Sequence, residues 1–169
     1  VEQLVGLGCS VNISNSDGTT ALSWSPTLEI TRFLVKIGAK VSDEKPDDGI
    51  LSLHRMTEKG HHRLTYLLKH SDARMFMEST DFLGRTPLGY AVTCGNKQAV
   101  MSLLQSGADP NGCDGTQLPL TPLQQAIVTR NLELVECLLK AGASHQLNFR
   151  MTGSFLMAKE AGVAAEYAR

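Results

Sequence analysis

The apolar positions of this chain come in short helical bursts set out in pairs. Leu88, Ala91 and Val92 fall at i, i+3 and i+4, one apolar face over two turns. Val100, Leu103 and Leu104 repeat that spacing a few residues later. Thr86 is placed to cap the first of these helices. Pro87 suits its first position, where the missing N–H has no helical partner to lose. Gly95 predicts the end of the first helix and Gly107 the end of the second, because a left-handed terminal residue is least strained as glycine. Ala108-Asp109-Pro110-Asn111 then turns the chain away. Two helices this short cannot bury their apolar faces alone, so the unit requires others stacked on it.

The chain supplies them. Thr121-Pro122-Leu123-Gln124-Gln125-Ala126 restates the opening 35 residues on, and Leu138-Leu139-Lys140-Ala141-Gly142-Ala143 restates the close at the same interval. In both copies the opening Thr precedes the closing Gly by 21 residues. Thr20-Ala21-Leu22 and Leu34-Val35-Lys36-Ile37-Gly38-Ala39 frame an earlier copy with a separation of only 18, which predicts a clipped first helix. Leu51-Ser52-Leu53-His54 with Gly60, Leu64, Leu67 and Leu68 frames the copy after it, where Ser71 stands in place of the closing Gly.

This pattern resembles the ankyrin repeat, with its period of about 33 residues and its T-P-L-H-x-A opening. The resemblance implies an all-α ankyrin-repeat solenoid of stacked helix-turn-helix units with short β-hairpin or turn connections. Its expected divisions are a partial repeat at 1–14, repeats at 15–45, 46–80, 81–113 and 114–147, and a partial repeat at 148–169. Neither end carries the polar cap that closes a solenoid, so the chain is expected to be a piece of a longer protein. The resemblance also implies that His54 links its helix start to the adjacent hairpin.

In this family, binding generally uses the concave side: the hairpin tips before each helix pair and the exposed ends of the first helices. Carried over repeat by repeat, these positions are Ser16, Asp17 and Thr19 at the first tip. The second has Asp47, Asp48 and Ile50, with Glu58 and Lys59 ending its helix. Phe82, Leu83 and Arg85 form the third, with Thr93 and Cys94 below. Leu118 and Leu120 fall nearest the fourth, with Val128 and Thr129 below, and Phe149, Arg150 and Met151 follow in the last partial repeat. The tips thus pass from polar and acidic to apolar with Arg, a composition found in protein-interface cores. The candidate partner-binding set is Ile50, Phe82, Leu83, Arg85, Thr93, Cys94, Leu118, Leu120, Val128, Thr129, Phe149, Arg150 and Met151. The competing explanation is that Leu118, Leu120 and Phe149 pack against neighbouring hairpins.

Composition narrows the function classes. At 169 residues and 42% hydrophobic content the chain can bury a continuous core, while 5% aromatic content suits thin helices packed through Leu, Val and Ala. A net charge of −1 gives no general attraction to nucleic acid. No apolar run approaches the roughly 18 residues of a membrane span, so neither a nucleic-acid nor a membrane partner is expected for this segment. Cys9, Cys94, Cys113 and Cys137 form no CxxC pair and read as reduced thiols of a cytoplasmic or nuclear protein. His54, His61, His62 and His70 cluster without the spacing of a metal site, and no phosphate loop or nucleophile motif is present. No metal, cofactor or catalytic residue is therefore assigned. Arg55, Lys59, Arg63, Lys69 and Arg74 make 54–74 basic beside the acidic 43–48, which marks either a second binding face or two solvated segments that neutralise each other. The expected function is a non-catalytic module that binds a partner protein or peptide. The alternatives are a substrate-recruiting segment of a larger enzyme or ubiquitin-ligase adaptor, and a structural spacer.

Overall fold

The computed structural model describes residues 10–45, 50–58, 61–112 and 120–144. Seven α-helices lie among them: α1 (Leu28–Lys36), α2 (Ser52–Arg55), α3 (His61–His70), α4 (Pro87–Thr93), α5 (Lys97–Gln105), α6 (Pro122–Val128) and α7 (Leu132–Lys140). The connections among the described residues are turns and two 3-10 segments, Val41–Asp43 and Asp72–Phe76, with no extended strand.

Five of these helices, α1 and α4 to α7, start behind a Thr or Asn whose side chain accepts from an orphan N–H of the first turn, whereas Leu51 before α2 offers no such cap. The Thr86 side chain accepts from Gly89 N with Pro87 directly after it, and Thr121 forms a full capping box with Gln124. Asn96 and Asn131 cap α5 and α7 in the same way. The closing glycines are left-handed, Gly107 at φ 98° for example, and the pair Gly107 N to Leu104 O and Ala108 N to Leu103 O ends α5. Ser71 cannot adopt that conformation cheaply. At φ −134° its hydroxyl instead caps the 3-10 segment Asp72–Phe76, so the chain winds on where the other repeats turn.

Packing sorts the helices into two layers. Within a repeat α4 lies on α5 and α6 on α7. Between repeats α2, α4 and α6 stack as an inner layer, and α1, α3, α5 and α7 as an outer one. The side chains between them form one core, with Leu22, Leu53, Leu64, Leu67, Leu88, Leu103, Leu134 and Leu138 fully buried. The Thr20 repeat has no inner helix: residues 21–24 are turns, as its shortened spacing predicts.

Buried polar links join the repeats. The His54 ring donates from Nε2 to Arg85 O at 3.2 Å, the bridge expected of that residue. Glu44 departs from the solvated acidic face expected at 43–48. It is buried and accepts from the hydroxyls of Thr20, Ser23 and Ser52 and from Ser52 N. Burial pushes its carboxyl above the ordinary range, opposed only in part by those donors.

Candidate protein-interaction surface

Two tips share one backbone design. Asn15 and Asp81 occupy matching places, five residues before Thr20 and Thr86. Asn15 Oδ1 accepts from Asp17 N and Thr19 N, and Asp81 Oδ1 accepts from Leu83 N and Arg85 N, at 2.9–3.1 Å. A left-handed glycine follows in each, Gly18 at φ 70° and Gly84 at φ 73°. Asx residue and glycine fix the turn, so the two residues between them are free to face outward. In the first tip they are Ser16 and Asp17. In the third they are Phe82, 66% exposed, and Leu83, 47% exposed.

Arg85 is placed differently from expectation. Its guanidinium is not an open anchor: Nε and Nη2 donate to the buried carboxylate Oδ2 of Asp81 at 2.8 and 2.7 Å. The same group lies over the Tyr90 ring, 4.7 Å from its centroid. Tyr90 in turn donates its hydroxyl to Glu58 Oε1 at 2.6 Å and meets the His54 ring edge-on. Desolvation, with the Glu58 carboxylate adding to it, pushes the Tyr90 phenol up to about 12. Arg85 thus braces the tip that carries Phe82 and Leu83.

The other candidates divide. Thr93, Cys94, Val128 and Thr129 are exposed at the ends of α4 and α6, whereas Ile50 and Leu120 are half-buried. Leu118, Phe149, Arg150 and Met151 lie outside the described residues. Burial, and then the neighbouring Glu58 charge, push the Cys94 thiol up, so it is no activated nucleophile.

One set of inner-layer residues escaped the tip-based assignment. Trp24, Arg55, Tyr90 and Gln125 each lie four residues after the opening position of their repeat. That equivalence puts them in one column, and Arg55 sets its guanidinium 5.3 Å from the Trp24 ring centroid. The Trp24 indole N–H donates to Thr19 Oγ1, yet the residue remains 65% exposed. The recurring register was the signal that could have found it.

Among the described residues no group of three His, Cys, Asp or Glu could hold a metal ion. No helix among them is long and apolar enough to cross a membrane.

A protein-family description of three ankyrin repeats matches residues 24–114 and 53–149. The chain belongs to the ankyrin-repeat family. It is also 34% identical over 118 residues to ankyrin repeat domain-containing protein 13B of mouse, and equally to that of human. The match takes in 69% of this chain and 18% of either relative, so this ankyrin stack spans less than a fifth of their length. Ankyrin repeats are generally protein-protein interaction modules and typically lack catalytic activity.

Proposed function

We propose that this segment is a non-catalytic module that binds a partner protein through the Phe82–Leu83 tip and the adjoining inner-layer face, in the cytoplasm or nucleus. The observation that carries this reading is the third tip. Its turn is fully held by Asp81 and Gly84, so neither Phe82 nor Leu83 is needed to form it, yet both present apolar surface to water. The matching first tip shows that polar residues satisfy the same backbone. Exposed aromatic and aliphatic side chains on a rigid, pre-ordered turn are what an interface anchor requires.

The test is affinity capture with the immobilised 169-residue chain, comparing wild type with a Phe82→Ser, Leu83→Ser double variant. A Met75→Ser variant serves as control, since Met75 is 82% exposed on the 3-10 segment after α3. A central aromatic anchor contributes on the order of 2 kcal/mol or more to binding, whereas exposed substitutions shift folding by about 0.5 kcal/mol or less. Loss of a stoichiometric partner from the tip variant alone, at unchanged melting temperature, supports the reading. Equal capture by all three proteins would refute it.

A further inference from the structure

The turn that ends the third repeat holds a dipeptide with chemistry of its own. Asn111 alone among the asparagines of this chain is followed by glycine. The backbone nitrogen of the next residue can attack an asparagine at Cγ, and glycine carries no side chain to obstruct that approach. The Asn111 carboxamide is held as such an attack requires. Its Oδ1 accepts from Ser144 N at 2.7 Å, which steadies the negative charge that attack places on this oxygen. Its Nδ2, the group that must leave, donates to no acceptor among the described residues. Asn12, Asn15 and Asn96 instead commit Nδ2 to Gly38 O, Asp17 Oδ2 and Thr57 O.

The surrounding turn governs when the attacking nitrogen is free. Gly112 N donates to Asp109 O at 3.0 Å, and Asp109 N donates to Glu78 Oε1 at 2.9 Å. Asp109 and Glu78 are exposed, so these bonds open locally while the helices stay packed. The product would not fit the closed turn. Gly112 has no slack: a Cβ on it would lie 2.5 Å from Glu78 Oε2 and 3.2 Å from Asp109 O. Its carbonyl also accepts from Thr86 Oγ1, the cap of α4, at 3.3 Å.

We propose that Asn111 is a site of spontaneous deamidation, a slow covalent change that loosens the junction of the third and fourth repeats. Gly112 N loses its proton to solvent and bonds to Asn111 Cγ. The Cγ–Nδ2 bond then breaks, ammonia leaves, and a cyclic imide remains. Water opens that ring. Addition at Cγ restores the ordinary backbone with an aspartate side chain, and addition at the main-chain carbonyl leaves isoaspartate, whose backbone is longer by a methylene. Either product adds a carboxylate to a turn that already carries Asp109 and Glu78.

The experiment incubates the folded 169-residue chain at neutral pH and follows it by peptide mapping with mass spectrometry. The blocked peptide GADPNG, residues 107–112, serves as the clock. Aspartate and isoaspartate should accumulate at position 111 while Asn15, Asn96 and Asn131 stay intact. Glu78→Ala, which removes one bond holding the turn shut, should speed conversion at 111 by at least about threefold and leave Asn15 unchanged. The converted chain should melt lower by roughly 2 °C or more. Asn111→Ser, incubated alongside, should keep its melting temperature, which ties the loss to this side chain. An intact Asn111 in the folded chain after the peptide has fully converted would overturn the proposal. So would equal conversion at Asn15, a rate indifferent to Glu78→Ala, or a converted chain that melts as the fresh one does.

Discussion

Replacing Asp81 separates the two jobs its carboxylate performs. Oδ1 holds the turn by accepting from Leu83 N and Arg85 N, and Oδ2 holds the Arg85 guanidinium. Asp81→Asn keeps the first job, as Asn15 shows in the matching tip. It gives up the ion pair, but Arg85 is 23% exposed, retains the Tyr90 ring and can reach water. The expected cost is about 1 kcal/mol. Asp81→Ala removes both jobs: two backbone donors and a half-buried guanidinium lose their acceptor, for about 2–3 kcal/mol. Urea unfolding of the three proteins followed by circular dichroism gives the comparison, with the slope of each transition checked for constancy. The reasoning fails if Asn costs as much as Ala, because the turn would then depend on charge. It fails equally if Ala costs nothing.

Leu103 is fully buried between the layers, so Leu103→Ala should cost about 2–5 kcal/mol, and an unmoved melting curve would show the buried face to be misassigned. Hydrogen exchange should protect 86–140 more than 15–75 among the measured amides, because the first repeat lacks an inner helix and the second ends without a left-handed glycine; the reverse order would refute this. Glu44 titrates above its ordinary 4.5 when folded, so as pH rises past 4.5 the unfolded chain loses that proton first and stability falls. The melting-temperature difference between wild type and Glu44→Gln should therefore decline as pH rises above 4.5, and a flat or growing difference would count against it. Asp72 acts with the opposite sign. Burial pushes it up, but Ser42 N and Val41 N outweigh that and hold it below its ordinary 3.8, so its contribution, present above 3.8, is lost as pH falls further.

The helix pairs of the third and fourth repeats were legible in the sequence because their helices begin and end on local chemistry. A Thr or Asn cap, a Pro at the first position and a closing Gly act within a few residues, so spacing alone locates them. The outward placement of Phe82 and Leu83 followed from the same local register. The ion pair of Arg85 was not foreseen, because its partner Asp81 lies four residues back across a turn, where no helical periodicity announces a meeting of side chains. Glu44 was misjudged because its hydroxyl donors come from residues 21 to 24 positions before it and 8 after it, a convergence that only the stacked repeats create. Trp24 was passed over for a related reason. Its position four residues after Thr20 matches Arg55, Tyr90 and Gln125, but in a repeat whose first helix is clipped that register no longer lies on a helix face.

The central claim is that contact is made by the third tip and the inner layer. Hydrogen exchange of the 169-residue chain, free and with the partner that it captures, tests this most directly. The account predicts new protection at the amides of 82–85 and along α4, with the outer helices α5 and α7 unchanged. Protection confined to α5 and α7, with 82–85 exchanging as in the free protein, would contradict it.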